Sequence, residues 1–150
     1  MDYFTTRRRI LEPGRSRLAF LLLGGAAFGF TELGRYVYRP YVYRNGLNDL
    51  GLADSIGNLG GICVQVFLGL AILNTTRIQS YRLATFFALG YVLYEFVQPY
   101  LPKGVFDWKD ILATVVGYGV SVMLISVVWR LVESSGRRRA GADGVRGMVD

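Results

Sequence analysis

Leu52-Ala53-Asp54-Ser55-Ile56-Gly57-Asn58-Leu59-Gly60-Gly61-Ile62-Cys63-Val64-Gln65-Val66-Phe67-Leu68-Gly69-Leu70-Ala71-Ile72-Leu73 carries no charge after Asp54. A helix crosses the hydrocarbon core of a bilayer in about 20 residues at 1.5 Å per residue, and this run has that length. Three more apolar runs lie at about residues 18–36, 81–97 and 111–131. Asn74-Thr75-Thr76-Arg77 closes the quoted run, Pro99 and Pro102 stop the third, and residues 107–110 form a capped start for the fourth. Trp108 and Trp129 bracket that last run as interfacial anchors do. The pattern predicts an all-α integral membrane four-helix bundle. A basic segment, residues 1–17, precedes the membrane domain at 18–132, and a basic flexible tail, residues 133–150, follows it.

Composition agrees. Of 150 residues, 52% are hydrophobic, 14% aromatic and 19% charged. The mean hydropathy is +0.32, high for a water-soluble domain. This excludes disorder and supports one domain. With Cys63 as the single cysteine and no histidine, a disulfide framework, zinc sites, His-ligated haem and Ser-His-Asp catalysis are excluded. Cys63, on an apolar helix, is expected to be a small packing residue. No metal set and no cofactor is expected.

Twelve of the 17 Lys and Arg fall before the first run, between the second run and the start of the third, or from the end of the fourth onward. Basic residues are retained on the cytoplasmic side, so the pattern predicts a multi-pass inner (cytoplasmic) membrane protein with both termini cytoplasmic. The run Arg137-Arg138-Arg139 lacks interleaved aromatics, so topology and anionic lipid explain it and nucleic-acid binding is not expected. A cleaved signal peptide is the alternative for the first run. Gly24-Gly25-Ala26-Ala27-Phe28 offers no small-x-small site followed by a polar start, so that run is expected to stay.

The two halves of the chain repeat. Glu32 and Arg35 end the first run, and Glu95 and Gln98 end the third at the same spacing of three. Asp54, Asn58, Gly61 and Gln65 open the second, and Asp110, Thr114, Gly117 and Ser121 open the fourth at the same offsets. Two tandem helical hairpins are expected, parallel and related by an axis along the membrane normal, with their polar groups meeting at an outer mouth. Small residues spaced by four, such as Gly57 and Gly61, permit close helix approach.

The segment from Tyr94-Glu95-Phe96-Val97-Gln98-Pro99 through Asp107-Trp108-Lys109-Asp110 to Thr114 and Gly117 resembles the VanZ-like membrane proteins. Their pattern runs Glu, two residues, Gln, a Pro-containing loop with a basic residue, then Asp, two residues, Asp, and later Asn followed by Gly. Glu95, Gln98, Asp107, Asp110 and Gly117 match; Thr114 stands in place of Asn, and Lys103 is nearest to the basic residue. Arg44, Asp54 and Asn58 echo the pattern in the first half. The resemblance covers about a third of the chain. It implies a bacterial cell-envelope protein, related to one protecting against the antibiotic teicoplanin, acting at the outer membrane face; it implies no settled reaction.

Each acid also has a plain structural role available. Asp54, Asp107 and Asp110 suit helix N-termini, and Glu32 with Arg35 suits an interfacial ion pair. Capping does not explain Asn58 and Thr114 one turn deeper, nor the matching Glu residues. Tyr36, Tyr38, Tyr41, Tyr43, Tyr94 and Tyr100 read as an interfacial belt. The preferred function is a polar outer cleft that binds an envelope lipid, wall precursor or glycopeptide, through Glu32, Arg35, Arg44, Asp54, Asn58, Glu95, Gln98, Lys103, Asp107, Asp110 and Thr114. One alternative is an intramembrane enzyme on a lipid-linked substrate with Glu95 or Asp110 as general base, for which a carboxylate pair suits Mg²⁺ better than zinc although the spacing demands no metal. Another is an accessory subunit, or one copy of a homo-oligomer, using the small-residue faces.

Overall fold

The computed structural model describes residues 13–102 and 104–146. Helix α1, Pro13–Leu33, runs through a π-helical turn, Gly34–Tyr38, directly into α2, Arg39–Arg44. A loop leads to α3, Leu52–Leu73, and a short break to α4, Arg77–Val97; a 3-10 turn, Gln98–Tyr100, and a loop precede α5, Trp108–Arg146. The described residues are all helix, turn and loop, with no strand.

Local chemistry accounts for the ends. Asn74 adopts the left-handed conformation at φ 50° and terminates α3. The Gln79 side chain accepts a bond from the Thr76 backbone N–H at 2.9 Å, so α4 begins at Arg77, four residues ahead of its apolar run. The first helix does not stop near residue 36 as expected. Pro40 has no N–H to offer one turn back, and the ladder widens ahead of it, with the Arg39 N–H bonding the Gly34 carbonyl five residues away. The rod then continues to Arg44. Helix α5 likewise passes the expected end at residue 131 and takes in most of the expected tail, since residues 132–146 contain no proline.

Helix α3 lies at the centre, packed against α1, α4 and α5; α1 and α4 make no contact among the described residues. Phe20, Ile62, Val66, Phe67, Leu70, Ala84, Ile125 and Val128 form the core, with the Phe20 and Phe67 rings stacked at 6.4 Å. Helices α3 and α5 approach closely at Gly117, where any side chain would meet the Leu59 carbonyl and Ile62. There Cys63 Sγ donates to the Gly117 carbonyl at 3.3 Å, so Cys63 is the packing residue expected.

The outward surface is apolar. Leu22, Phe86 and Val115 are 65%, 70% and 53% exposed, and many of their neighbours are alike. A surface of this kind suits lipid better than water. The segments Ser16–Arg44, Leu52–Leu73 and Trp108–Ser135 are long and apolar enough to cross a membrane. Helix α4 has the length but carries Arg77, Gln79, Ser80, Arg82, Thr85 and Glu95, and falls short on composition. At the basic end, Arg17 Nε donates to the Ala71 carbonyl at 2.9 Å, Arg77 pairs with Glu133 at 3.1 Å, and Trp129 Nε1 donates to Ser80 at 3.2 Å. These bonds tie α1 to α3 and α4 to α5 at that end.

Candidate functional site

The opposite end holds a buried polar cluster between α3, α4 and α5. Glu95, on the last turn of α4, is 1% exposed. Its Oε1 accepts from Asn58 Nδ2 of α3 at 3.2 Å and, more weakly, from Gln98 Nε2 at 3.4 Å. Its Oε2 has no hydrogen-bond partner within the protein. The Asp107 backbone amide approaches the carboxyl without reaching bonding geometry at Oε2. Asp107 and Asp110 are close enough for their charges to act on Glu95. Asp110 in turn lies beside the Ser55 hydroxyl of α3.

Two more buried atoms in this region are unpartnered: Ser55 Oγ, on a residue 4% exposed, and Thr114 Oγ1, on a residue with no exposed surface. Thr114 is one turn beyond Asp110 on the stripe that also carries Gly117 and Ser121, all of it facing inward. Ser55 and Asn58 are one turn apart on α3. Among the described residues, no Lys or Arg forms an ion pair with Glu95, Asp107 or Asp110. Buried polar groups are ordinarily satisfied, so three such atoms on facing helices at the polar end mark a candidate site. The loop that covers it is tight: at Gly104 a Cβ would strike the Gln98 carbonyl, so only glycine fits.

The remaining expected site residues are distributed over the outer surface. Asp54 does not join Glu95; it accepts from Arg39 Nη2 at 3.0 Å and from the Tyr43 hydroxyl, both on α2. Asp107 Oδ1 accepts from the Lys109 N–H at 2.9 Å, an N-terminal cap on α5. Glu32 pairs with Arg35 at 3.6 Å on the rod of α1. Arg44 is exposed at the end of α2, with no ion-pair partner among the described residues. Lys103 lies outside the described residues. Glu32 and Arg35 instead line a groove of about 540 Å³ where α1 and α4 diverge over α3, with Gly57, Gly61, Gln65 and Gly69 on its α3 wall.

Asp49, in the loop before α3, takes the first-turn N–H groups that Asp54 was expected to serve. Its Oδ2 accepts from Ala53 N at 2.7 Å and from Tyr38 Oη at 3.2 Å, and its Oδ1 from Gly51 N at 3.1 Å. Desolvation pushes its acidity the other way, but these donors prevail and hold its pKa below the usual carboxylate value.

No protein-family profile, curated protein or solved structure matches this chain. The site therefore rests on its own geometry. Ser55, Arg39 and Asp49 belong to the polar end and were not singled out by the repeat. Ser55 is one position off the four-residue stripe that begins at Asp54. Arg39 falls among the five cations outside the basic side, but its partner Asp54 becomes visible only once the helix is known to continue past residue 36.

Proposed function

We propose that this chain is a four-span membrane protein of the VanZ-like kind, with both termini cytoplasmic, whose outer end binds the polar part of an envelope lipid or wall precursor. One observation carries the reading: a buried carboxylate, Glu95, held at one oxygen by Asn58 and Gln98 and unpartnered at the other. Ionisable groups are expensive inside membranes, and retained ones mark functional sites by default. The packing of α4 beside α3 and α5 supports a fourth crossing, with Glu95 at the end of α4 opposite the Arg77–Glu133 pair. The apolar outer surface of the rods supports a cluster at headgroup depth.

A second reading has its own support. Asp110 and Glu95 influence each other electrostatically, as an acid and base pair of an intramembrane enzyme would. It predicts a chemically altered lipid.

The test is extraction of the wild-type chain and a Glu95→Gln, Asp110→Asn variant with their surrounding lipid, followed by mass spectrometry of what copurifies. A polar lipid or precursor enriched by the wild type and lost from the variant supports binding. Equal lipid profiles contradict it, and accumulation of a new lipid product favours the enzyme.

A further inference from the structure

The unpartnered atoms at the Glu95 cluster specify a ligand chemistry. They are one carboxylate oxygen, Glu95 Oε2, and two hydroxyl oxygens, Ser55 Oγ and Thr114 Oγ1. All three accept hydrogen bonds. The surrounding charge is negative from Glu95, Asp107 and Asp110; the neutral amides of Asn58 and Gln98 each place one N–H on Oε1, and the Ser55 and Thr114 hydroxyls can donate as well as accept. No group of three or more acidic, His or Cys side chains that could hold a metal comes together among the described residues. A primary ammonium has three N–H donors, one positive charge and no acceptor, which complements three buried acceptor oxygens beside acidic side chains.

We propose that the Glu95, Ser55 and Thr114 site receives the primary ammonium of an amine-bearing envelope molecule. This rests on the headgroup-binding reading above and narrows it to a chemical class. A quaternary ammonium carries the same charge but no N–H, so it cannot make these bonds. An anionic headgroup without an amine brings charge of the wrong sign to the cluster.

The experiment uses the full-length chain, purified in detergent and stripped of lipid, with thermal unfolding followed on adding phosphatidylethanolamine, phosphatidylcholine, phosphatidylglycerol, a short peptide with a free lysine amine, or sodium chloride alone. Ligands that bind the folded state raise the melting temperature. The expected result is a rise with phosphatidylethanolamine or the lysyl peptide, none with phosphatidylcholine or sodium, and loss of that rise in Glu95→Gln and in Thr114→Val. The responding amine, lipid or peptide, identifies the source. Thr114→Val keeps shape and removes the hydroxyl, so it reports on the site where Glu95→Gln fails to fold. Equal rises with phosphatidylethanolamine and phosphatidylcholine, or a rise retained in both variants, overturn the ammonium site. A rise with phosphatidylglycerol alone overturns it while leaving headgroup binding intact. No response to any lipid or to the peptide overturns both, and leaves water as the partner of these atoms.

Discussion

Asn58 of α3 donates its side-chain N–H to Glu95 of α4 across 3.2 Å, joining the first half of the chain to the second through a carboxylate that is 1% exposed. The bond lies between two helices, so it is both a packing contact and the anchor of the candidate site. Its acceptor has a second oxygen, and that is where the chemistry is left open.

Asn58→Leu should leave Oε1 with only the weaker Gln98 contact. Losing a partner for a buried acceptor costs about 1–3 kcal/mol, while interhelical bonds in membranes average about 0.6 kcal/mol. A double-mutant cycle with Glu95→Leu, read by unfolding in detergent, should show coupling: the pair of changes costs less than the sum of the single ones. Strict additivity would mean that the bond contributes nothing.

Glycines on this fold should separate into two kinds. Gly117→Ala places a methyl against the Leu59 carbonyl and Ile62, forcing α3 and α5 apart, and overpacking of this kind costs about 1–3 kcal/mol. Gly57→Ala meets nothing within 4 Å and improves helix propensity, so it should be neutral or stabilising by up to about 1 kcal/mol. Melting temperatures of the two variants provide the check.

Acid should reveal Asp49. Its pKa is lowered in the folded chain, so its contribution to stability is complete above the ordinary carboxylate value and is lost as pH falls through the lowered one. Melting temperature measured from about pH 5 down to about pH 2 should fall less steeply in Asp49→Asn than in the wild type. Identical slopes would show that the carboxylate does not matter there.

Much of this architecture can be read from apolar run length. The quoted run at residues 52–73 coincides with α3, because Asn74 and the Thr76 and Gln79 cap end it chemically as well as by polarity. The reading fails where one residue overrides the pattern: Pro40 widens the ladder without ending the helix, carrying Arg39 and Tyr43 over to Asp54. Internal repetition implied equal roles for Glu32 and Glu95. Their neighbours three positions on decide otherwise. Arg35 neutralises Glu32 locally, whereas Gln98 carries no charge, and Glu95 takes its closest donor from the other half of the chain. Pattern alone does not show which partner a side chain takes across helices.

The central claim is that α4 crosses the membrane, placing the loops at residues 45–51 and 98–107 together outside. Single cysteines at Asn45, Val105, Gln79 and Ser134, all exposed positions, are labelled in intact cells by an impermeant maleimide, with the native Cys63 buried. Labelling at Asn45 and Val105, with Gln79 and Ser134 reactive only after permeabilisation, is the predicted outcome; protection of Val105 alongside labelling of Asn45 would contradict it.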